Sequence, residues 1–450
     1  MFFKKIYYIV LFIGGALCSA NLFAQQVDSA FADINYLRKQ NAWLSAENVA
    51  GLKHFSLPKI STAHLFIDKA NGGFKNYHQS DNSYQHGLNA QSIYRLNSKV
   101  VFSGLVAYHH FKGKNMGGSA FIDPYQSPFN IVEVDDGNKG DKQQETYQLM
   151  GGISGQLSQK LAIGGKIDYQ TANFAKMKDL RHTNKLLDMD LSVGVLYQLN
   201  SRTEIGTNYI YDRRIESTFF RTYGNTHPHY TSLIDFGSFY GNEELFNDHS
   251  GYTKNGTSYP LVSNTHGIST QLYVVISPAI KWFNELSYGK RKGYFGREGT
   301  GSTIFTNHDA NQYRYKGQLS VIRKMLEHHF TLTGYYQNLI NKENVYREET
   351  TSGGVNRIVY YGQNEVLDQQ ITRANLNYTL YKQVINSLPE WELGVNLAYF
   401  YRQQTTSIKT FYREQAISSY EAHINGKRNL VKGDRVYSIA MGIGYGSGGG

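Results

Sequence analysis

Long segments in which apolar and polar side chains alternate constrain the fold of this chain more than any other feature. In Leu187–Leu199, seven apolar residues occupy every second position, and Leu196 is the one apolar residue on the opposite face. The same period recurs in Leu161–Tyr169 and Trp391–Tyr399. Because successive side chains of a strand point to opposite faces, this period predicts strands with one apolar and one polar face. Runs of this length exceed the usual soluble strand and match the roughly 9–11 residues of a tilted, membrane-crossing strand.

Two kinds of connection alternate between these strands. Short turns lie near 97–98, 158–159, 200–202, 277–278, 323–324 and 386–389, whereas long polar segments cover 70–81, 116–143, 178–186, 222–262, 292–308, 346–364 and 404–432. Short turns on one side and long loops on the other are typical of outer-membrane barrels. All seven prolines fall outside the predicted strands, as a ladder that uses every N–H donor requires. We therefore predict an all-β fold, a transmembrane antiparallel β-barrel of about 14 strands over residues 59–446, followed by a Gly/Ser tail at 447–450.

Composition excludes several other classes of protein. Aromatic residues make up 14% of the 450 residues, with 36 tyrosines, which excludes a disordered chain. The one cysteine, Cys18, lies in the predicted leader, so the processed chain has no thiol for disulfides, catalysis or metal binding. The strands of a soluble β-sandwich would also show alternating apolar and polar residues. That fold does not explain the strand length, the loop asymmetry and the tyrosine excess together.

The first residues have the layout of a secretory signal peptide. Lys4 and Lys5 precede an apolar run, Ile6–Leu17, and Ala24 ends a segment suited to cleavage. We therefore predict a signal peptide at residues 1–24 and a location in the bacterial outer membrane.

Residues 25–58 lack the alternation of the barrel. Phe31, Ile34 and Leu37 recur at helical spacing, and Trp43 and Leu44 follow. This segment either fills the lumen as a plug or forms a periplasmic arm. We favour the plug, because these apolar side chains need burial.

Three stretches, Asn41–Gly51, Asn71–His78 and Phe111–Pro124, resemble a family of Bacteroidota outer-membrane β-barrel proteins whose function is unassigned. The resemblance implies the barrel and its location, and it supplies no catalytic residues. Chains of this kind end on a strand with a terminal aromatic residue, whereas this one ends with the Gly-rich residues 445–450. The barrel is therefore expected to have about 14 strands or more.

The polar faces of the predicted strands supply the candidate lumen-lining residues. These are Lys166, Asp168, Asp188, Asp190, Arg314, Lys316, Arg373, Glu392 and Arg402. Clustered carboxylates can act in acid–base catalysis or bind hard cations, but we expect charge balance with basic residues on the same inner face. Because metalloprotease, P-loop and nucleophile-elbow motifs are missing from the sequence, we expect no catalytic group, metal site or cofactor.

Three functional classes are compatible with such a barrel. We favour a transport protein, either a diffusion channel or a ligand-specific channel gated by the N-terminal segment. The first alternative is an accessory barrel whose long loops bind a TonB-dependent transporter or a surface lipoprotein, and the second is an outer-membrane enzyme. The net charge of +10 favours lipopolysaccharide phosphates or anionic solutes as partners besides membrane lipid, and in this location nucleic acid is not expected.

Overall fold

The structure is a computed structural model that describes residues 31–224, 229–299, 302–350, 356–433 and 435–450. The predicted signal peptide lies outside the described residues. Ahead of the strands come one α-helix, α1 (Ile34–Gln40), and two 3₁₀ helices, Ala42–Ser45 and Val49–His54; a third 3₁₀ helix is Asp136–Asn138. Of the helices in the described ranges, none combines the length and the apolar character needed to span a bilayer.

Nineteen strands account for most of the described chain. They are β1 (Lys59–Asn71), β2 (Asn82–Arg95), β3 (Val100–Met116), β4 (Gly118–Ser119), β5 (Asn130–Glu133), β6 (Gly140–Gln156), β7 (Leu161–Lys176), β8 (Arg181–Gln198), β9 (Thr203–Arg221), β10 (Thr231–Gly237), β11 (Tyr240–Leu245), β12 (Ser258–Ser277), β13 (Ile280–Gly296), β14 (Ile304–Arg323), β15 (Leu326–Thr350), β16 (Asn356–Ile385), β17 (Leu388–Ile408), β18 (Phe411–Lys432) and β19 (Arg435–Gly449). In the described chain, fifteen strands form one antiparallel sheet in sequence order, and β4, β5, β10 and β11 form a small second sheet. The all-β antiparallel prediction is confirmed, with fifteen strands in the main sheet where about 14 were predicted.

Several strands are longer than the sequence predicted. The predicted loop at 404–432 is wrong: β17 continues to Ile408, and β18 begins at Phe411 after a tight turn. The terminal strand β19 likewise runs to Gly449, into the residues predicted as a tail. The long arms of β15 and β16 also reach into the predicted loop at 346–364. Outside the bilayer both faces of a strand contact water, so neither face needs apolar side chains and the alternation disappears. The backbone hydrogen bonds between the strands continue.

The outer face of the large sheet carries an apolar band. On β8, Val193 is 67% exposed on this face whereas Ser192, one residue earlier, is 4% exposed on the inner face. Leu332, Leu376 and Leu397 lie side by side in register on β15, β16 and β17, and all three are exposed. Such a continuous exposed apolar band on long strands is the lipid-facing surface of a barrel wall.

Aromatic residues border this band. Tyr288, Tyr313 and Tyr336 are in register on β13, β14 and β15, with ring centroids 5.2 and 6.1 Å apart. Closer to the short turns, Trp282 and Phe330 project from the same strands on the same face. Aromatic girdles at both interfaces are characteristic of membrane barrels, because these amphipathic rings favour the headgroup region.

The sheet curls around the N-terminal segment. Arg38 Nη2 donates to Gln91 Oε1 on β2 at 2.9 Å, and Lys427 on β18 binds Asp33 at 2.7 Å. Asn48 contacts β8, near the middle of the sheet. One short segment can reach both β2 and β18 only if the sheet wraps around it as a barrel-shaped wall. In the described residues, β1 and β19 are the two edges of this sheet and do not pair with each other.

Candidate functional site

The N-terminal segment, residues 31–58, packs against the inner face of the wall at the end that carries the short turns; we call it the inner plug. Asp33 caps the N-terminus of α1, and its Oδ1 accepts from the backbone N–H of Asn35 at 2.8 Å. Ile34 and Leu37 then pack against Phe55 within the plug, and this cluster continues into wall residues of β1, β2 and β3. The plug is therefore joined to the wall by an apolar core.

A second apolar contact centres on Trp43. Its indole packs against Ala50, Leu196 and Phe283, with the Phe283 ring edge-on at a centroid distance of 5.3 Å. Leu196, the exception to the alternation of β8, is thus an inward-facing residue that the plug covers. Of the predicted plug residues, Ile34, Leu37 and Trp43 are buried, whereas Phe31 and Leu44 are half-buried.

Polar groups also hold the plug. Asn48 is fully buried, and its Nδ2 donates to Val195 O at 2.8 Å and to Gln271 Oε1 at 3.0 Å. Lys53 and His54 both contact the Glu204 carboxylate, at 3.1 and 2.9 Å. These contacts were not predicted, because nothing in the local pattern marks Asn48 or Glu204.

The pKa values of two side chains of α1, Tyr36 and Lys39, are changed by their position in the lumen. Burial raises the pKa of Tyr36, and the charge of Glu327, to which its hydroxyl donates at 3.0 Å, raises it further. Burial lowers the pKa of Lys39, and the charge of Glu392 opposes that change. The Lys39 Nζ donates to Asn377 Oδ1 at 2.6 Å. The plug interface therefore combines apolar packing with specific polar contacts.

The opposite end of the barrel is covered by two loops, 117–139 and the described parts of 222–257, which carry the small second sheet; we call them the outer cap. Phe121, Phe129 and Ile234 of the cap pack with wall residues such as Phe295 and Phe305 in one buried cluster. The Phe129 and Phe295 rings meet at a centroid distance of 4.9 Å. The cap is thus packed into the mouth of the barrel.

A buried charge cluster anchors the cap. The Glu133 carboxylate on β5 contacts Lys142 of β6 at 3.5 Å and also contacts Lys176 of β7. Both lysine side chains are fully buried, and Lys142 Nζ donates to Ser119 O at 2.8 Å. Removing one member of such a cluster leaves an uncompensated buried charge.

Two cavities lie between the plug and the cap. The upper chamber, about 370 Å³, is bounded by Tyr125 and Gln126 of the cap, and the lower chamber, about 560 Å³, by Ser45 and Glu47 of the plug. The two share lining residues Ser287, Arg314, Tyr335 and Arg373. They therefore adjoin along the barrel axis.

Charges of both signs line the upper chamber. Asp188, Asp190, Asp212, Arg214, Arg291, Arg314 and Arg373 are among its lining residues. Asp188 is paired with Arg214 at 2.8 Å, and Arg314 reaches Glu47 of the plug at 3.2 Å. The Arg373 guanidinium lies 5.7 Å from the ring centroids of both Tyr335 and Phe400.

The structure brings only some of the predicted lumen residues together. Asp188, Asp190, Arg314 and Arg373 line the upper chamber, and Lys316 lines the lower one, where it donates to Ser45 O at 2.5 Å.

The other four lie elsewhere on the inner face. Asp168 is in register with Asp190, and Lys166 with Ser192. Glu392 lies near Lys39 of the plug, and Arg402 donates to Gln415 at 3.0 Å beneath the cap.

The sequence did not predict that Asp212, Arg214 and Arg291 line the lumen. Around Asp212 the residues on both faces are polar, so the alternation that marks an inner face is lost there. In the described residues, no group of three or more His, Cys, Asp or Glu is placed to hold a metal ion. The upper chamber thus has three aspartates on β8 and β9 and arginines on β9, β13, β14 and β16.

A family model, described as a family of unknown function (DUF6850), matches residues 49–449. No curated protein matches the sequence.

Solved structures with a similar fold include transporters. The outer membrane transporter YddB from Escherichia coli matches at 8% identity over 81% of this chain and 55% of its own, with a TM-score of 0.40. The P. putida toluene transporter TodX matches at 9% identity over 90% and 93%, with a TM-score of 0.34. The RagAB peptide transporter matches at 7% identity over 87% and 49%, with a TM-score of 0.37. The chain thus spans about half the length of the YddB and RagAB chains.

Proposed function

The chain belongs to the DUF6850 family, whose function is unknown, and we propose that it is an outer-membrane transport protein whose pathway is gated at both ends. This membership confirms the expectation that the chain belongs to a family whose function is unassigned. The observation that carries the proposal is the pair of chambers between the inner plug and the outer cap. A barrel that served only as a scaffold would have no need of a charged cavity between two separate closures.

The nature of the closures supports a gate. Both the plug and the cap combine apolar packing with a few charged contacts, such as Lys427 with Asp33 and Lys176 with Glu133. The barrel's own backbone hydrogen bonds are made between strands and do not depend on either closure. Plug and cap can therefore move while the wall stays folded.

The charge pattern supports a ligand-specific channel over a general diffusion pore. The chambers adjoin at Arg314 and Arg373 beside Tyr335, so a solute that passes between the chambers meets two guanidinium groups. Charged groups in an enclosed site impose a strong preference on what enters, because ions lose hydration there.

The outer surface supports the proposed location. Beyond Tyr288, the outward positions Arg213, Asn264 and Lys292 are in register on β9, β12 and β13. Cations just outside an aromatic girdle are suited to lipopolysaccharide phosphates, while the leucine band faces lipid acyl chains.

A labelling experiment tests the proposed pathway. The predicted processed chain has no cysteine, so Ser287→Cys places a single thiol on the wall of both chambers. In purified protein we expect slow reaction with a charged maleimide, compared with Lys99→Cys in a short turn. Removal of residues 31–55 should bring the Ser287→Cys rate close to that of Lys99→Cys.

Leu286→Cys, which faces lipid, is the matched control and should stay unlabelled in both backgrounds. Rapid labelling of Ser287→Cys in the intact protein would contradict a closed pathway. Persistent protection after plug removal would show that wall side chains close the lumen, and would favour the accessory barrel that binds a transporter or lipoprotein through its loops.

A further inference from the structure

The upper chamber contains an arginine, Arg291, with two hydrogen-bond donors that have no partner among the described residues. Arg291 is 9% exposed, and its Nη1 donates to Gln126 O of the cap at 3.3 Å. Its Nε and Nη2 have no hydrogen-bond partner among the described residues, although both atoms are buried. A buried donor without a partner costs stability, and a ligand that accepts from both atoms would offset that cost.

The geometry of the two free donors identifies the kind of group they fit. Nε–H and Nη2–H form one edge of the planar guanidinium and point in parallel. This edge matches the two oxygens of a carboxylate, which accept a bidentate pair of hydrogen bonds. Arg314 and Arg373 add positive charge to the same chamber.

A second, independent feature lies on the neighbouring strands. Asp168, Asp190 and Asp212 are directly in register on β7, β8 and β9, all on the inner face. Among the described residues none of the three forms an ion pair; of the carboxylates here, only Asp188 does, with Arg214. Like charges directly opposite each other destabilise a sheet, and a bound cation would relieve the repulsion.

The spacing between the two features sets the size of the ligand. Asp212 is in register with Thr265, and Thr265 with Arg291, so the aspartate and the arginine are two strands apart. At about 4.8 Å per strand this is about 10 Å along the wall. Three extended residues of a peptide span about the same distance.

We propose that the upper chamber binds a zwitterionic solute the size of a short peptide, with its carboxylate on Arg291 and its ammonium group on Asp190 and Asp212. This inference rests on the proposed transport function and specifies its substrate class. Asp190 and Asp212 on one side and Arg291 on the other then recognise opposite ends of one ligand, and a solute with one charge satisfies only half of the site.

Four forms of trialanine test the substrate class: the free tripeptide, the N-acetylated form, the C-amidated form and the form blocked at both ends. Binding is measured by equilibrium dialysis of the full chain in detergent, with Glu133→Gln in parallel, because a loosened cap admits ligand faster. We expect the free tripeptide to bind tighter than either singly blocked form by about tenfold, as expected for one lost charged hydrogen-bond contact.

Variants assign the two ends. Arg291→Gln should remove the preference for a free carboxylate and leave the preference for a free amine, and Asp212→Asn should do the reverse. Arg213→Gln is the matched control, because Arg213 faces outward and donates to Asn264 at 3.2 Å. It should change neither preference.

Equal binding of all four peptides, or no binding of any of them in both backgrounds, would overturn the proposed substrate class. Binding of the N-acetylated form as tight as that of the free tripeptide would show a simple anion site instead. The labelling of Ser287→Cys involves no ligand, so a failure of the substrate class is distinguishable from a failure of the pathway.

Discussion

Asp190 and Asp212 lie directly opposite each other on β8 and β9, both facing the chamber. Asp168 lies opposite Asp190 on the other side, so three carboxylates follow one another across the inner wall. Carboxylates that face each other across neighbouring strands repel when they are ionised. The row lies two strands from Arg291, whose Nε and Nη2 have no partner among the described residues, so both features lie at the proposed binding site.

Neutralising one carboxylate of this row should stabilise the barrel. We expect Asp190→Asn to raise the free energy of unfolding by about 0.5–1 kcal/mol, since a cross-strand repulsion is removed. Urea unfolding in detergent, followed by gel mobility without heating, measures the change. Asp188→Asn is the matched control: it breaks the pair with Arg214 and should be destabilising. A loss of stability in Asp190→Asn would mean that the row is not repulsive.

The sequence predicts which way Asp168 and Asp190 point, but it predicts neither the face of Asp212 nor the register that sets the three carboxylates opposite one another. Alternation assigns the face of Asp168 and Asp190, because the face depends only on the period within one strand. Register between strands depends on turn lengths and on the stagger of the whole barrel, which no single strand encodes. Asp212 escaped notice for a further reason: its neighbours Tyr211 and Arg213 are polar on the outer face, above the apolar band.

The sequence also did not predict the strands of the cap. The cap strands β5 and β10 lie in segments rich in Gly, Pro and Asp that are typical of loops, and their stability comes from packing with Phe295 and Phe305. The helical spacing of Ile34 and Leu37 matches α1, because that helix buries one face in the ordinary way.

The two faces of β17 should respond differently to the same charge. Leu397→Arg places a guanidinium in the leucine band and should cost about 2–4 kcal/mol if it lies near the bilayer midplane. Ala398→Arg points into the lower chamber and is in register with Glu421, so it should fold nearly as well as the native protein. Refolding into lipid vesicles at graded urea concentrations compares the two. Equal tolerance would contradict the assignment of faces.

Trp43 should control the docking of the plug without controlling the wall. Trp43→Ala removes the contacts with Leu196 and Phe283 and should weaken docking by about 3–5 kcal/mol. We expect faster trypsin cleavage in the plug, after residues such as Arg38, while the barrel keeps its unheated gel mobility. Asn35→Ala, on the exposed side of α1, is the control and should leave cleavage unchanged. Loss of the folded barrel in Trp43→Ala would make the plug part of the structural core.

Glu133 should control the cap. Glu133→Gln leaves Lys142 and Lys176 buried without a counter-charge, a change that typically costs about 3–5 kcal/mol. We expect the cap loops to become sensitive to added protease in intact vesicles while the wall stays protected. Asp136→Asn, which removes an exposed pair with Lys139, should have no effect. Unchanged protection in Glu133→Gln would show that apolar packing alone holds the cap.

Single-channel conductance in planar bilayers tests the gated pathway most directly. Four proteins are compared: the intact chain, the chain without residues 31–55, Glu133→Gln, and the combination of the two changes. Because the plug and the cap close the same pathway in series, we expect little conductance from the intact chain and at most a modest rise in either single variant. A large, stable conductance is expected only in the combination. A combined variant that is folded but conducts no better than the intact chain would contradict the transport function.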